Sequence, residues 1–185
     1  MSHAPVTLYT AGHSNRPLAE LIALLKDAGI STLVDVRAQP RSQRHPQFND
    51  DSLRAACEHA GIAYHWAGRQ LGGMRAPRAD SPHRALDEKR RGFADHMDTD
   101  AFQKGAAQLR NMAARAPSAI LCAEREPRDC HRALIADYLA LQGVRVVHLI
   151  APGERREHAL SPEARRESAT LIYDRNLSGE LELSN

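Results

Sequence analysis

Aromatic side chains are scarce: Phe, Trp and Tyr together make up 4% of the 185 residues, although hydrophobic residues of all kinds reach 42%. A core built from this chain is therefore aliphatic, assembled from Leu, Ile, Val and Ala. Long apolar runs are missing as well. None approaches the roughly 20 residues that a bilayer-spanning helix needs, so the chain is not expected to engage a membrane. Met1 to Thr10 also lacks the basic-then-apolar order of a secretory leader. Cysteine is limited to Cys57, Cys122 and Cys130. An odd number without a secretory context reads as reduced thiols in a cytoplasm, not as a disulfide framework. Excess charge is missing too: the formal net charge is +2, whereas a polyanion binder usually carries a larger basic surplus. Arginine supplies most of the positive charge, and its planar fork suits phosphate and carboxylate better than lysine does.

What is present is a repeated junction: an amphipathic helix, a glycine, then a β-branched run. Leu18, Leu21, Ile22 and Leu25 lead through Gly29 to Thr32–Val36; Leu53, Ala56, Cys57 and Ala60 lead through Gly61 to Ile62–Tyr64; Leu134, Ile135, Tyr138 and Leu139 lead through Gly143 to Val144–Ile150. Glycine after a helix takes the left-handed cap conformation that a Cβ penalises. Two further strands are expected, Val6–Thr10 and Ser118–Ala123, the second after a helix with Phe102, Ala106, Leu109 and Ala113 on one face. Apolar strands alternating with helices predict a three-layer α/β/α sandwich around a mainly parallel, Rossmann-like sheet of about five strands in the order 3-2-1-4-5. The length suits one domain over residues 1–175, with 176–185 as a flexible tail. Within it, Gly68–His96 is polar, arginine-rich and long, and reads as a lid or binding loop. Ser161-Pro162-Glu163 reads as a helix start.

In an open parallel sheet ligands bind beyond the carboxyl ends of the strands. Those ends carry Gly12-His13-Ser14-Asn15, Asp35-Val36-Arg37 with Pro40-Arg41, Gly68 to Gly73, and Cys122-Ala123-Glu124 running to Cys130-His131-Arg132. Blander uses exist for several of them. His13 and Ser14 can cap the first helix. Asp35 and Arg37 flank Val36, are not expected to enter one core together, and can brace loops instead of doing chemistry. Cys57 sits on the apolar face of its helix and reads as core. Cys122 begins a C-x5-R spacing with Arg128, shared with thiol phosphatases and rhodaneses, but Glu124 and Glu126 in that loop are expected to raise the thiol pKa. Cys122, Glu124, Cys130 and His131, with His13 or His158, give only a weak zinc pattern, so no metal site is assigned. The favoured picture is an anion pocket. Cys130-His131-Arg132 opens a helix whose free amides favour negative charge. Arg37, Arg41 and Arg75 converge there, and Asp35 and Glu124 serve as acid or base.

These motifs, together with Leu71-Gly72-Gly73, Gly92-Phe93-Ala94 and Glu157-His158-Ala159-Leu160, resemble the bacterial family known as domain of unknown function 488, from about Leu8 to about Arg166. Thr10-Ala11-Gly12 departs from the family's usual Thr-Ile-Gly. The resemblance implies a small cytoplasmic protein with motif positions His13, Ser14, Asp35, Arg37, Gly72, Gly73, Cys122, Glu124, Cys130, His131 and Arg132; it supplies no reaction and no cofactor. The leading expectation is an enzyme for a phosphate-bearing small molecule or nucleotide, held by Ser14, Arg37, Arg41, Gly72, Gly73, Arg75, Cys130 and Arg132. Asp35 or Glu124, helped by His13 or His131, would act as acid or base. A thiol- or metal-dependent site at Cys122 and Cys130, redox or sulfur-transferring, is the alternative. A regulatory or nucleic-acid-binding module is the third.

Overall fold

The computed structural model describes residues 4–175, so the expected tail over 176–185 lies outside them. In chain order the elements are β1 (Thr7–Gly12), α1 (Leu18–Asp27), β2 (Thr32–Asp35), α2 (Asp50–His59), β3 (Ala63–Trp66), α3 (Gly68–Leu71), α4 (Glu88–His96), α5 (Asp100–Arg115), β4 (Ser118–Cys122), α6 (Arg132–Leu141), β5 (Arg145–Ala151), β6 (Glu154–Glu157), β7 (Ala164–Glu167) and β8 (Thr170–Tyr173). The three helix–glycine–strand junctions are where the sequence places them. Gly29, Gly61 and Gly143 all take positive φ, between 71° and 80°, after α1, α2 and α6.

The α/β sandwich with a mainly parallel sheet is as expected, but the strand order is β3-β2-β4-β1-β5-β6, not 3-2-1-4-5. Strand β4 inserts between β2 and β1; all five of its residues are buried, which suits a central position covered on both faces. Hydrophobic pattern identifies strands but not their neighbours, and this is why the order was misread. The sheet also gains an antiparallel edge strand, β6, and a separate β7–β8 hairpin. Their sequences, Glu-Arg-Arg-Glu and Ala-Arg-Arg-Glu, carry no apolar alternation. The expected helix at Ser161-Pro162-Glu163 is instead a turn leading into β7.

Side-chain alternation along the strands splits the core in two. Leu8, Val34, Ile120 and Val146 face α4, α5 and α6, with Phe93, Phe102 and Leu134. Ala11, Leu33, Leu121 and Leu149 face α1 and α2, with Leu21, Leu25 and Leu53. The chain leaves β1 toward β2 on one side of the sheet and leaves β4 toward β5 on the other. The neighbouring ends of β1 and β4 therefore form the switch point at which such sheets open a crevice. Gly12 stands opposite Cys122 in the register of that pair.

Two buried polar networks lock this frame. Asp35, fully buried, accepts from Arg37 Nε at 2.9 Å, Arg37 Nη2 at 2.7 Å and the Tyr64 hydroxyl at 2.5 Å, while Arg37 Nη2 also donates to the Phe48 carbonyl. Asp35 and Arg37 thus share one side of the chain, against the sequence expectation. Residues two apart on extended backbone point the same way. On the other face Asp137 accepts from His158 Nε2 at 2.7 Å and from the Tyr173 hydroxyl at 2.9 Å. His158 Nδ1 lies 2.9 Å from His148 Nε2, and His148 Nδ1 lies 2.6 Å from Thr10 Oγ1. Every atom is satisfied when Thr10 donates to His148, His148 to His158, and His158 to Asp137.

Asp35→Ala strands the Arg37 charge in the interior and is expected to cost about 3–5 kcal/mol of stability, read from urea denaturation. Burial, then the charges of His158, Arg132 and Arg156, push His148 down from 6.5 to about 3. Its contribution to stability is present above the unfolded value and lost as pH falls through the folded one. His148→Gln is therefore expected to flatten the acid side of the stability profile between those two pH values; an unchanged slope would count against a buried neutral ring.

Candidate active site at the β1–β4 switch point

Strand β4 ends on Cys122, and the chain beyond it is tied to the end of β1: His13 N–H donates to the Cys122 carbonyl at 3.0 Å and Ser14 N–H to the Ala123 carbonyl at 2.8 Å. The loop crosses directly over Gly12, where a Cβ would fall 1.7 Å from the Glu124 carbonyl oxygen. That close approach is the reason glycine occupies the strand end. A 3-10 turn over Pro127–Asp129 then delivers Cys130, in extended conformation, to the start of α6. Cys130 and Cys122 border one cavity and belong to the same core cluster.

His131 lies between the cysteines in sequence and against Cys122 in space. Its Nε2 donates to the Val36 carbonyl at 3.0 Å, which leaves Nδ1 pointing at the Cys122 sulfur, 3.9 Å away. The Phe93 ring packs on the imidazole with centroids 4.8 Å apart. On the remaining side stands Gly73, where a Cβ would come within 3.0 Å of Nδ1. Arg132 completes the group. Its side chain is 1% exposed, its Nη2 donates to the Arg125 carbonyl at 2.9 Å, and its Nε and Nη1 have no hydrogen-bond partner.

These neighbours set the charge. The neighbouring Cys130 thiol is the largest influence on Cys122; burial opposes it, but His131 and Arg132 add to it, and the Cys122 thiol is held well below its ordinary pKa. The cost falls on Cys130, driven well above the usual range by the same contact and by burial. Burial disfavours a charged His131, yet the Cys122 sulfur and the carbonyls of Val36 and Leu71 outweigh it and raise its pKa. These influences favour the charged forms of Cys122 and His131 side by side. The expectation that Glu124 and Glu126 would raise the Cys122 pKa is overturned by geometry. Glu124 is exposed, and Glu126 turns away to Arg156 at 2.8 Å.

Cys122 is 5% exposed and opens into a cavity of about 440 Å³. Gly73, Met74, Lys89, Arg90, Cys130 and His131 contribute to its walls. A second cavity of about 480 Å³ adjoins it across Arg37, Gln39, Ala123 and Glu124, and holds His13, Ser14, Arg41 and Arg44. The structure therefore brings together Cys122, Cys130, His131, Arg132 and Gly73, with Glu124 on the wall between the two lobes. It sets other candidates apart. Asp35 is sealed on the opposite face of the sheet, with Arg37 committed to it. Arg41 is exposed and pairs with Asp50 at 3.2 Å. Arg75 is spent on the carbonyls of Gly72 and Arg69. A Cβ on Gly72 would strike the Gly68 carbonyl, so this glycine serves the turn. His13 stacks on Phe48 at 4.5 Å, its Nδ1–H donates to the Ser14 carbonyl, and burial lowers its pKa. The first helix begins after Pro17 without a side-chain cap, so neither His13 nor Ser14 serves it that way. Among the described residues no three His, Cys, Asp or Glu side chains converge as metal ligands.

The stretch Gly68–His96 folds as α3, a connecting loop and α4, with Leu71, Leu86 and Phe93 buried in the core and Met74, Lys89 and Arg90 on the cavity wall. Met74, Lys89 and Arg90 escaped the sequence reading. The only signal was Asp87, which caps α4 by accepting the Arg90 N–H and so fixes where that wall begins.

Fold and site together define an open parallel α/β protein with paired cysteines at its topological switch point. The chain belongs to the family described as Domain of unknown function DUF488, whose pattern matches residues 17–139. That span includes both cysteines, His131 and Arg132. No curated protein and no solved structure matches the chain.

The ion pair has a direct readout in the pH dependence of iodoacetamide alkylation at Cys122. His131→Gln is expected to raise its midpoint by about 1–3 units, the effect of a charge at this range. Gly73→Ala, which crowds the ring, is expected to move the midpoint the same way. A midpoint indifferent to both would remove the imidazolium from the site.

Proposed function

We propose that this protein is a cysteine-dependent enzyme in which the Cys122 thiolate attacks a small electrophile held in the strand-end cavity. The observation that carries the reading is the placement of His131 Nδ1 3.9 Å from the Cys122 sulfur, with its other nitrogen anchored to the Val36 carbonyl. This is the disposition of a base that activates a thiol and is itself oriented by a third group. In the first step a sulfur–substrate bond forms as the bond to the leaving group breaks, and the leaving group takes the proton from His131 Nδ1. The now neutral imidazole accepts a proton from the second nucleophile as the covalent intermediate is discharged. The Arg132 charge stabilises negative charge that develops near the sulfur. This reading sets the thiol chemistry above general acid–base work by Asp35, whose carboxylate has no route to the cavity.

The anionic ligand anticipated from the arginines keeps a place in the same scheme. The second lobe, with Arg41, Arg44 and His45 on its walls, adjoins the thiol lobe across Arg37 and Glu124, which supports an electrophile that carries a negative group. Charge attraction across such a cleft raises local concentration and rate.

Cys122→Ser is expected to abolish labelling by iodoacetamide at pH 6, where Cys57, pushed up to about 11 mainly by burial, stays silent. Equal labelling of wild type and variant would reject the nucleophile. Anionic iodoacetate is expected to outpace neutral iodoacetamide at Cys122 relative to a free thiol, and the preference to shrink in Arg41→Ala or in high salt. No preference would remove the anionic group from the substrate description.

A further inference from the structure

Cys130 is not needed to activate Cys122 for a single nucleophilic attack, yet it stands at the same cavity. It is 7% exposed and sits at the mouth of α6. Cys57 is enclosed in the core of the opposite face, whereas Cys130, although it belongs to the core cluster of Cys122, also borders the cavity into which Cys122 opens.

We propose that Cys122 and Cys130 form a two-electron redox pair in which Cys122 is oxidised by a small hydroperoxide and Cys130 resolves the product as an intramolecular disulfide. The proposal rests on the Cys122 nucleophile described above and adds the identity of the electrophile and of the second nucleophile. The cavity argues for a small oxidant. Cys122 is 5% exposed, and Gly73 and His131 crowd its approach, so a disulfide borne on another folded protein does not reach it.

The steps balance. The Cys122 thiolate attacks the distal peroxide oxygen; a sulfur–oxygen bond forms, the oxygen–oxygen bond breaks, and the departing alkoxide takes the proton of His131 to leave as an alcohol. Cys122 is now a sulfenic acid and His131 is neutral. Cys130 gives its thiol proton to the imidazole and attacks the Cys122 sulfur. The disulfide forms, and the displaced hydroxide leaves as water with the proton His131 has just received. A thiolate, a thiol, an imidazolium and a hydroperoxide become a disulfide, an alcohol, water and a neutral imidazole: the sulfurs lose two electrons, the peroxide gains them, and the ring regains its proton from solvent. Seven residues separate the cysteines, a span whose 3-10 turn buries Pro127 and leaves Arg128 and Asp129 exposed. The high pKa of Cys130 falls once Cys122 is a neutral sulfenic acid, because the thiolate that opposed its ionisation is gone.

The test is intact-mass and peptide mapping of the full chain after one equivalent of tert-butyl hydroperoxide at pH 7. Loss of two hydrogens is expected, with the Cys122 and Cys130 peptides linked and the Cys57 thiol free. In Cys130→Ser, Cys122 is expected to be trapped as a sulfenic acid that dimedone captures; in Cys122→Ser no oxidation is expected. Thermal melting checks that each variant is folded, and the wild-type map alone decides the link if one is not. Gain of oxygen at Cys122 without a cross-link in wild type would overturn the resolving role while leaving the nucleophile intact. Slow, high-pH alkylation of Cys122 together with no oxidation would overturn both. A disulfide that forms only between chains, or that involves Cys57, would also overturn the pair.

Discussion

A guanidinium removed from water must be matched by negative charge or by acceptors for all its N–H groups, or it destabilises whatever surrounds it. Arg132 meets this requirement only in part: one nitrogen reaches the Arg125 carbonyl, and Nε and Nη1 have no partner. Much of the site follows from that imbalance. The positive charge falls on Cys122 and Cys130 and contributes to holding Cys122 ionised, and it adds to the repulsion that keeps His148 neutral. The Arg132 Nη1 lies 3.0 Å from where a Cβ on Gly12 would stand, so the strand end must stay bare to admit it. The same packing that leaves Arg132 short of partners sets its charge near the Cys122 thiol.

The sheet keeps two kinds of polar chemistry apart. Alternation along β2 and β4 sends Asp35 toward α2 and Cys122 toward α5 and α6. The carboxylate, with Arg37 and Tyr64, is saturated by hydrogen bonds and serves to hold the end of β2. The thiol, across the sheet, has a cavity before it and an imidazole beside it. The Thr10–His148–His158–Asp137–Tyr173 chain lies on the thiol side and ties β1, β5, α6 and β8 together. It makes α6 a rigid platform, and a platform of this kind is needed if His131 and Arg132 are to stay registered against a sulfur on a different element.

Much of the architecture was open to reading from residues alone, because the signals are local. A glycine that must take positive φ marks the end of a helix wherever it stands, and Gly29, Gly61 and Gly143 announced three of the strands. Strand-end residues were legible as a set by the same route, since a parallel sheet gathers them at one edge. The charged strands β6 and β7 were invisible, having no apolar period to betray them. The strand order was misread for a different reason: adjacency depends on how crossovers pack. For Asp35 and Arg37 the structure shows the bracing pair that the sequence left open beside chemistry, because side chains two apart on a strand share a face and so pair with each other.

The amino-acid sequence by itself determined the class of fold, the aliphatic core and the edge of the sheet at which polar groups collect, because each depends on spacing within a short stretch of chain. Tertiary structure alone decided which of those groups act together. Val36 orients His131 across 95 positions of sequence, and the insertion of β4 beside β1 places Cys122 over Gly12. A thiol pKa is set by charges within a few ångströms, whatever their distance along the chain, so the lowered pKa of Cys122 exists only once β4, the loop after it and the start of α6 are folded against one another.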